Sequence, residues 1–336
     1  MNVNDFFSSN SYVFLPTKNN PKVALTIDNK VVIKNSFDLY NPFSTKAKLL
    51  KIFLHFGFKY FNSFFKFIFR VNQKQQSPIL KYLEKKLNQN LISSVYFATT
   101  NDKVVIQLQT NHAEVVGYLK FPLNEIGIKQ IRNEMRALEV LSSNNIVAPY
   151  LLADQFNGIP FFLLQDLGNN IGIHNPKFIF ELACKFKRNE RYILLHHPRI
   201  KSLLHELHNM GLNELHDKLT NICLNSTCEY LLVYEHGDFA PWNVVNFEGR
   251  LIPFDFEYFV NDGLESLDLI KYFYQTGTLL KNKKGVDLIL FIQNQLNLGE
   301  FKYFLTIFLI KEIHLKKNLK QDFKIENDLL NILDIR

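Results

Sequence analysis

Between residues 91 and 164 the hydrophobic period of the chain switches from strand to helix and back, and no other feature restricts its fold as much. Residues 91–98, 103–110 and 113–121 are three β-rich runs with short connections at 99–102 and at Asn111-His112. Ile128, Ile131, Met135, Leu138 and Leu141 then recur at steps of three and four, which predicts a helix over 126–141. Two further strand-like runs, 150–153 and 161–164, are separated by a turn at Asn157-Gly158. After Gly168 the helical period dominates, at 177–186, 200–210, 212–223 and from 266 to 333. Strands return only at 230–234 and in a pair, 244–247 and 250–254, turned at Glu248-Gly249. The expected fold class is therefore α+β, a β-rich part followed by a mainly helical one.

The 336 residues are 47% hydrophobic and 21% charged, which excludes a disordered chain, and 32 phenylalanines supply ample core material. Cys184, Cys223 and Cys228 form no CxxC pair and no disulfide framework. A reducing, cytoplasmic setting is expected, and the sequon Asn225-Ser226-Thr227 then carries no glycan. The first five residues have no basic start leading into an apolar core, so no signal peptide is expected.

Residues 1–90 read as an N-terminal extension, with a domain boundary near Asn90. Residues 22–27 and 30–34 look like short strands around an Asp28-Asn29 hairpin. Residues 45–70 read as one helix whose polar stripe runs Lys48, Lys51, His55, Lys59, Asn62, Lys66, Arg70. With Lys46 this stretch carries +6 of the net +7 and no acidic residue, so the remainder is nearly balanced, which argues against a nucleic-acid footprint. Two readings fit such a helix. It can lie on an anionic surface at the inner face of a membrane, as a peripheral contact through 45–70. It can also dock on the protein body with its lysines in water, and aromatic faces more often serve as core than as membrane anchors. Residues 79–87 look like a further short helix.

The chemistry concentrates in His236-Gly237-Asp238-Phe239-Ala240-Pro241-Trp242-Asn243, followed after the hairpin by Asp255-Phe256-Glu257. Asn243 stands five residues after Asp238, and Asp255 twelve after that. Phosphoryl transfer needs a carboxylate to orient the attacking hydroxyl, and an amide with a second carboxylate to hold magnesium on nucleotide phosphates. The spacing fits the pattern H-x-D-x-x-x-x-N with a following D-F dipeptide, set between strands.

With Asp268 in Glu265-Ser266-Leu267-Asp268-Leu269, these motifs resemble the aminoglycoside phosphotransferase and choline kinase branch of the protein-kinase-like superfamily, over roughly residues 91–280. The resemblance implies a bilobal fold, with a small lobe at 91–166 and a large lobe at 167–336, and transfer of the γ-phosphoryl group of ATP to a small-molecule hydroxyl with Mg2+. It makes Asp238 the catalytic carboxylate, Asn243 and Asp255 the magnesium ligands, and His236 and Asp268 braces of the loop. Lys120 near the end of the third strand suits the phosphates, and Glu134, beside the apolar stripe of the next helix, suits that lysine. Adenine would lie along Gln165-Asp166-Leu167.

The connection 98–102 lacks the glycines of a phosphate-covering loop, which keeps a nucleotide-binding pseudokinase or scaffold as an alternative. A protein kinase fits less well. Gly237 occupies the place of an arginine common there, and only residues 258–267 separate the D-F-E triplet from Asp268. His205-x-x-His208 has helical spacing but no third zinc ligand in the sequence around it.

Overall fold

The computed structural model describes residues 6–8, 10–17, 21–27, 30–39, 45–72, 76–97, 102–142, 146–148, 150–168 and 171–335. The chain divides into two compact units, residues 1–142 with 148–169 and residues 143–147 with 170–336.

The first unit runs β1 (Ser11–Pro16), β2 (Pro21–Thr26), α1 (Lys30–Asp38), α2 (Thr45–Tyr60), α3 (Asn62–Phe69), β3 (Val71–Asn72), α4 (Pro78–Leu87), β4 (Ile92–Phe97), β5 (Lys103–Gln109), β6 (Val115–Pro122), α5 (Glu125–Ser142), β7 (Tyr150–Phe156) and β8 (Ile159–Leu164). Its described strands form one eight-stranded antiparallel sheet in the order β3-β1-β2-β4-β5-β6-β8-β7. Side chains alternate across it. Tyr12 joins a core with Val95, Ile106, Leu119, Phe121 and Leu80 of α4. Its neighbour Val13 joins the other core, with Val23, Leu25, Phe37 of α1, Leu54 and Phe58 of α2, and Phe65 of α3.

Residues 1–90, expected as an extension outside the small lobe, thus share its sheet. β2 pairs with β4 through Val23↔Tyr96 and Ala24↔Val95. Two further expectations differ. Residues 30–34 belong to a helix, not a strand, because their β-branched side chains are overruled by tertiary anchoring. Asn35 of α1 donates to Gln109 Oε1 (3.2 Å) and Ala113 O (2.6 Å), and Gln109 donates to Ser36 Oγ at 3.1 Å. The Asp28-Asn29 turn lies outside the described residues, as do residues 98–101 of the glycine-free connection. The helix over 45–70 is two helices, broken at Phe61 (φ −121°, ψ 41°). The break lets the Phe65 ring fold back onto Gly57, where a Cβ would meet it at 2.2 Å. In a straight helix eight residues span about 12 Å.

The second unit runs α6 (Pro176–Cys184), β9 (Lys187–Ile193), α7 (Pro198–Asn209), α8 (Asn213–Asn225), β10 (Glu229–Glu235), β11 (Val244–Phe247), β12 (Arg250–Pro253), β13 (Val260–Leu264), α9 (Leu267–Gln275), α10 (Gly285–Leu296), α11 (Phe301–Asn318) and α12 (Lys324–Ile335). β10 is the centre of a three-stranded sheet, β13-β10-β9, and β11 and β12 form a hairpin. β9 and β13 were not expected as strands. β9 reads Lys-Arg-Asn-Glu-Arg-Tyr-Ile and is largely exposed, so it shows no hydrophobic alternation. β13 carries Gly263 where a Cβ would meet Glu235 Cβ at 2.3 Å, so only glycine allows this close pairing with β10.

Candidate active site

In the second unit, β10 ends at Glu235 and delivers the chain into the loop 236–240. The loop turns sharply at Gly237, which has φ +83°, and a Cβ there would meet the Tyr258 carbonyl oxygen at 2.3 Å. Glycine is required on both counts. A 3-10 turn, Pro241–Asn243, then leads into β11.

The loop is braced from the first turn of α9. The Asp268 carboxylate accepts from the backbone N–H of His236 (2.7 Å) and of Gly237 (3.1 Å). Burial, and next the negative charge of Glu235, push the Asp268 carboxyl up to about 7. Behind it, burial pushes Glu235 upward, but Lys311 Nζ at 2.6 Å and Arg199 Nε at 3.6 Å outweigh this and leave it below the ordinary range.

His236 is fully buried and joins the loop to the Asp255 segment. Its Nε2 donates to Phe254 O at 3.0 Å, and its Nδ1 accepts the Asp238 N–H at 3.4 Å. Burial lowers the His236 pKa, so the neutral imidazole is the form these two bonds use. Its ring lies 4.3 Å from that of Phe256, which is itself fully buried.

The Asn243 amide nitrogen donates twice, to Asp238 O (2.9 Å) and Asp238 Oδ2 (3.1 Å). Asn243 O in turn accepts from Phe254 N at 3.0 Å, one residue before Asp255. Asp255 takes a left-handed backbone, φ +67°, an uncommon state for a residue other than glycine and one concentrated at functional sites. His236, Asp238, Asn243, Asp268 and the segment carrying Asp255 are therefore one hydrogen-bonded assembly.

A further residue belongs to it that the motif reading passes over. Lys271 of α9 is buried, with Nζ 2.6 Å from Glu312 Oε2 of α11 and 3.4 Å from Asp238 Oδ1. Burial lowers its pKa, but Glu312 and Asp238 more than compensate and raise it above the ordinary lysine value. Its sequence signal was the spacing: Lys271 follows Asp268 by three residues, on the same helix face, in the otherwise apolar run Leu-Ile-Lys-Tyr-Phe-Tyr.

In the first unit, Lys120 of β6 and Glu134 of α5 form a buried pair, Nζ to Oε1 2.5 Å, with side chains 7% and 1% exposed. Gln165 and Leu167 are half-buried in the segment after β8, where Gly168 N donates to Asp166 Oδ1 at 2.9 Å. In the helical unit, His205 Nε2 lies 3.0 Å from Asn209 Nδ2 of the same helix. Among the described residues no three His, Cys, Asp or Glu side chains cluster as a metal site.

No family model matches the chain, and no curated protein matches it in sequence. Solved structures do match in fold. A thermostable mutant of aminoglycoside phosphotransferase APH(4)-Ia superposes with a TM-score of 0.50 at 8% identity, over 76% of this chain and 98% of that one. Choline kinase LicA from Streptococcus pneumoniae gives 0.45 at 17% identity, over 76% and 96%. Plasmodium vivax ethanolamine kinase gives 0.45 at 16%, over 92% and 94%. The first of these likenesses establishes the fold: the chain has the protein-kinase-like architecture of that phosphotransferase.

Proposed function

We propose that the chain is an ATP-dependent phosphotransferase that moves the γ-phosphoryl group to a hydroxyl of a small molecule of the sugar, aminoglycoside or amino alcohol type. The observation that carries this reading is the Asp238 carboxylate: partly open to solvent, its side chain 27% exposed, yet aimed by the Asn243 amide and by Lys271 on a loop tied to Asp268. A carboxylate held in this way can accept a hydrogen bond from an attacking hydroxyl and fix its direction. In a loose transition state aiming the nucleophile matters more than early deprotonation, so a rigid carboxylate suits the task.

The donor set fits magnesium. Both Asn243 amide hydrogens point at Asp238, which leaves the side-chain oxygen as the atom to face a cation, and Asp255 adds a hard carboxylate oxygen. Bound there, the ion would neutralise charge on the nucleotide phosphates. Lys120, fixed by Glu134, offers a cation for phosphate oxygens, and the backbone of Gln165 to Leu167 offers hydrogen bonds to adenine. The similar structure that is an aminoglycoside phosphotransferase supports a small-molecule substrate class.

The purified chain with ATP, magnesium and a panel of sugars, aminoglycosides and amino alcohols is expected to release ADP with at least one acceptor. Asp238→Ala should lower that turnover by about 10³-fold or more while nucleotide binding, read by calorimetry, persists. Equal turnover in the two proteins would overturn the assignment of Asp238. Nucleotide binding with no turnover on any acceptor would point to a pseudokinase.

A further inference from the structure

The helices α2 and α3 carry three distinct faces. One packs inward through Leu54, Phe58 and Phe65. A second faces solvent and is apolar. On α2 it holds Leu49, Ile52, Phe53, Phe56 and Tyr60, where Ile52 and Phe53 lie three and four residues after Leu49 and Phe56 and Tyr60 follow at three and four, hence one stripe. Phe64 and Phe67, three residues apart, are exposed in the same way on α3. Phe53, Phe64 and Phe67 are 58%, 62% and 88% exposed, so the docking of these helices leaves their largest rings uncovered. The third face is basic, with Lys48, Lys51 and Lys59 bordering the apolar stripe on α2, and there is no acidic residue anywhere from 45 to 70.

An apolar stripe of this kind on one surface is far more than scattered exposure on a monomer, and it marks an interaction site. Charge selects the occupant. A second copy would bring its own +6 stretch against this one, whereas a surface of anionic headgroups neutralises the lysines as the rings enter the headgroup layer. Among the described residues no helix is long and apolar enough to cross a membrane, so contact would be in the plane of the interface. We propose that α2 and α3 form a membrane-docking surface that binds anionic lipid bilayers, with the aromatic stripe inserted and the lysines against the headgroups. This holds whatever the chain phosphorylates.

The test is sedimentation of the full chain with vesicles of phosphatidylcholine alone and of a phosphatidylcholine–phosphatidylserine mixture. The protein should pellet with the mixed vesicles at low salt, stay in solution with the neutral ones, and be released at ~1 M salt, where the screening length is about 3 Å. The double variants F64S/F67S and K48E/K59E should each weaken partitioning by about tenfold or more. Both change exposed side chains, so unchanged melting curves will show intact folds. Failure to pellet with mixed vesicles at low salt overturns the proposal, as does equal binding to neutral vesicles. Binding that neither variant changes overturns the assignment to this face. Lipid-free self-association in sedimentation velocity, lost in F64S/F67S, would assign the face to a second copy instead.

Discussion

Lys271 has two neighbours with opposite demands, and they can be separated by substitution. Glu312 is buried, and its ion pair with Lys271 is excluded from water. Removing one partner strands a buried charge, so Lys271→Met should cost about 3–5 kcal/mol in urea unfolding. The double variant Lys271→Met/Glu312→Met replaces the pair by apolar groups and should recover most of that loss. It still leaves Asp238 Oδ1 without the cation at 3.4 Å. If Lys271 positions the carboxylate, the double variant folds well yet turns over about 10- to 100-fold more slowly, with the KM for ATP little changed. Wild-type turnover in the refolded double variant would reduce Lys271 to a structural role. The motif residues were legible because their spacing is local: Asp238, Asn243 and Asp255 lie within one loop and hairpin. The pairing of Lys271 with Glu312 was not, because it depends on how α9 packs against α11, and sequence spacing says nothing of packing between distant helices.

At the scale of elements, the first turn of α9 is the brace on which the loop 236–240 depends. Asp268 must accept two backbone N–H groups while its carboxyl is pushed up to about 7 by burial and by Glu235. The sign follows from proton uptake. Between about 4 and 7 the folded protein holds this proton and the unfolded chain has lost it, so the contribution of Asp268 to stability falls as pH rises through that window and is level above it. Asp268→Asn removes the titration. The difference between wild type and variant in the free energy of urea unfolding should therefore shift against wild type by about 1–3 kcal/mol from pH 4.5 to pH 8. A difference that stays flat across that range would mean the carboxyl titrates normally. The same scale shows where periodicity misled. Val31, Val32 and Ile33 are β-branched and read as a strand, but the bond that Asn35 donates to Gln109 of β5, and those that Ser36 Oγ accepts from Ser94 of β4 and Gln109 of β5, decide for the helix α1. β9 was missed because an edge strand of charged residues has no apolar alternation to display.

Over the whole molecule, the hydrophobic period marks a boundary near Asn90 and the sheet does not. The kinase-like resemblance begins at about residue 91, yet β1 and β2 extend the same sheet beyond β4, and Ser8, Tyr12 and Ser93 share buried hydrogen bonds across that boundary. Tyr12 and Ser93 are joined at 3.0 Å, both fully buried. Phe6, Phe7, Tyr12, Ile79, Leu80 and Leu83 all contribute to the core that also holds Val95, Ile106, Leu119 and Phe121. Deleting one large core side chain costs about 2–5 kcal/mol, and a whole domain has only about 5–15 kcal/mol of stability. A fragment beginning at Leu91 loses six such side chains at once and exposes the edge of β4, which invites strand pairing between molecules. It should therefore fail to give a cooperative melt in circular dichroism and should aggregate, while the full chain melts as a folded protein. The first unit would then be a kinase-like lobe that cannot be reduced to the stretch its motifs cover. A fragment that stays monomeric and melts with the midpoint of the full chain would show instead that β1, β2 and the helices α1 to α4 are an appendage whose contacts the lobe can do without.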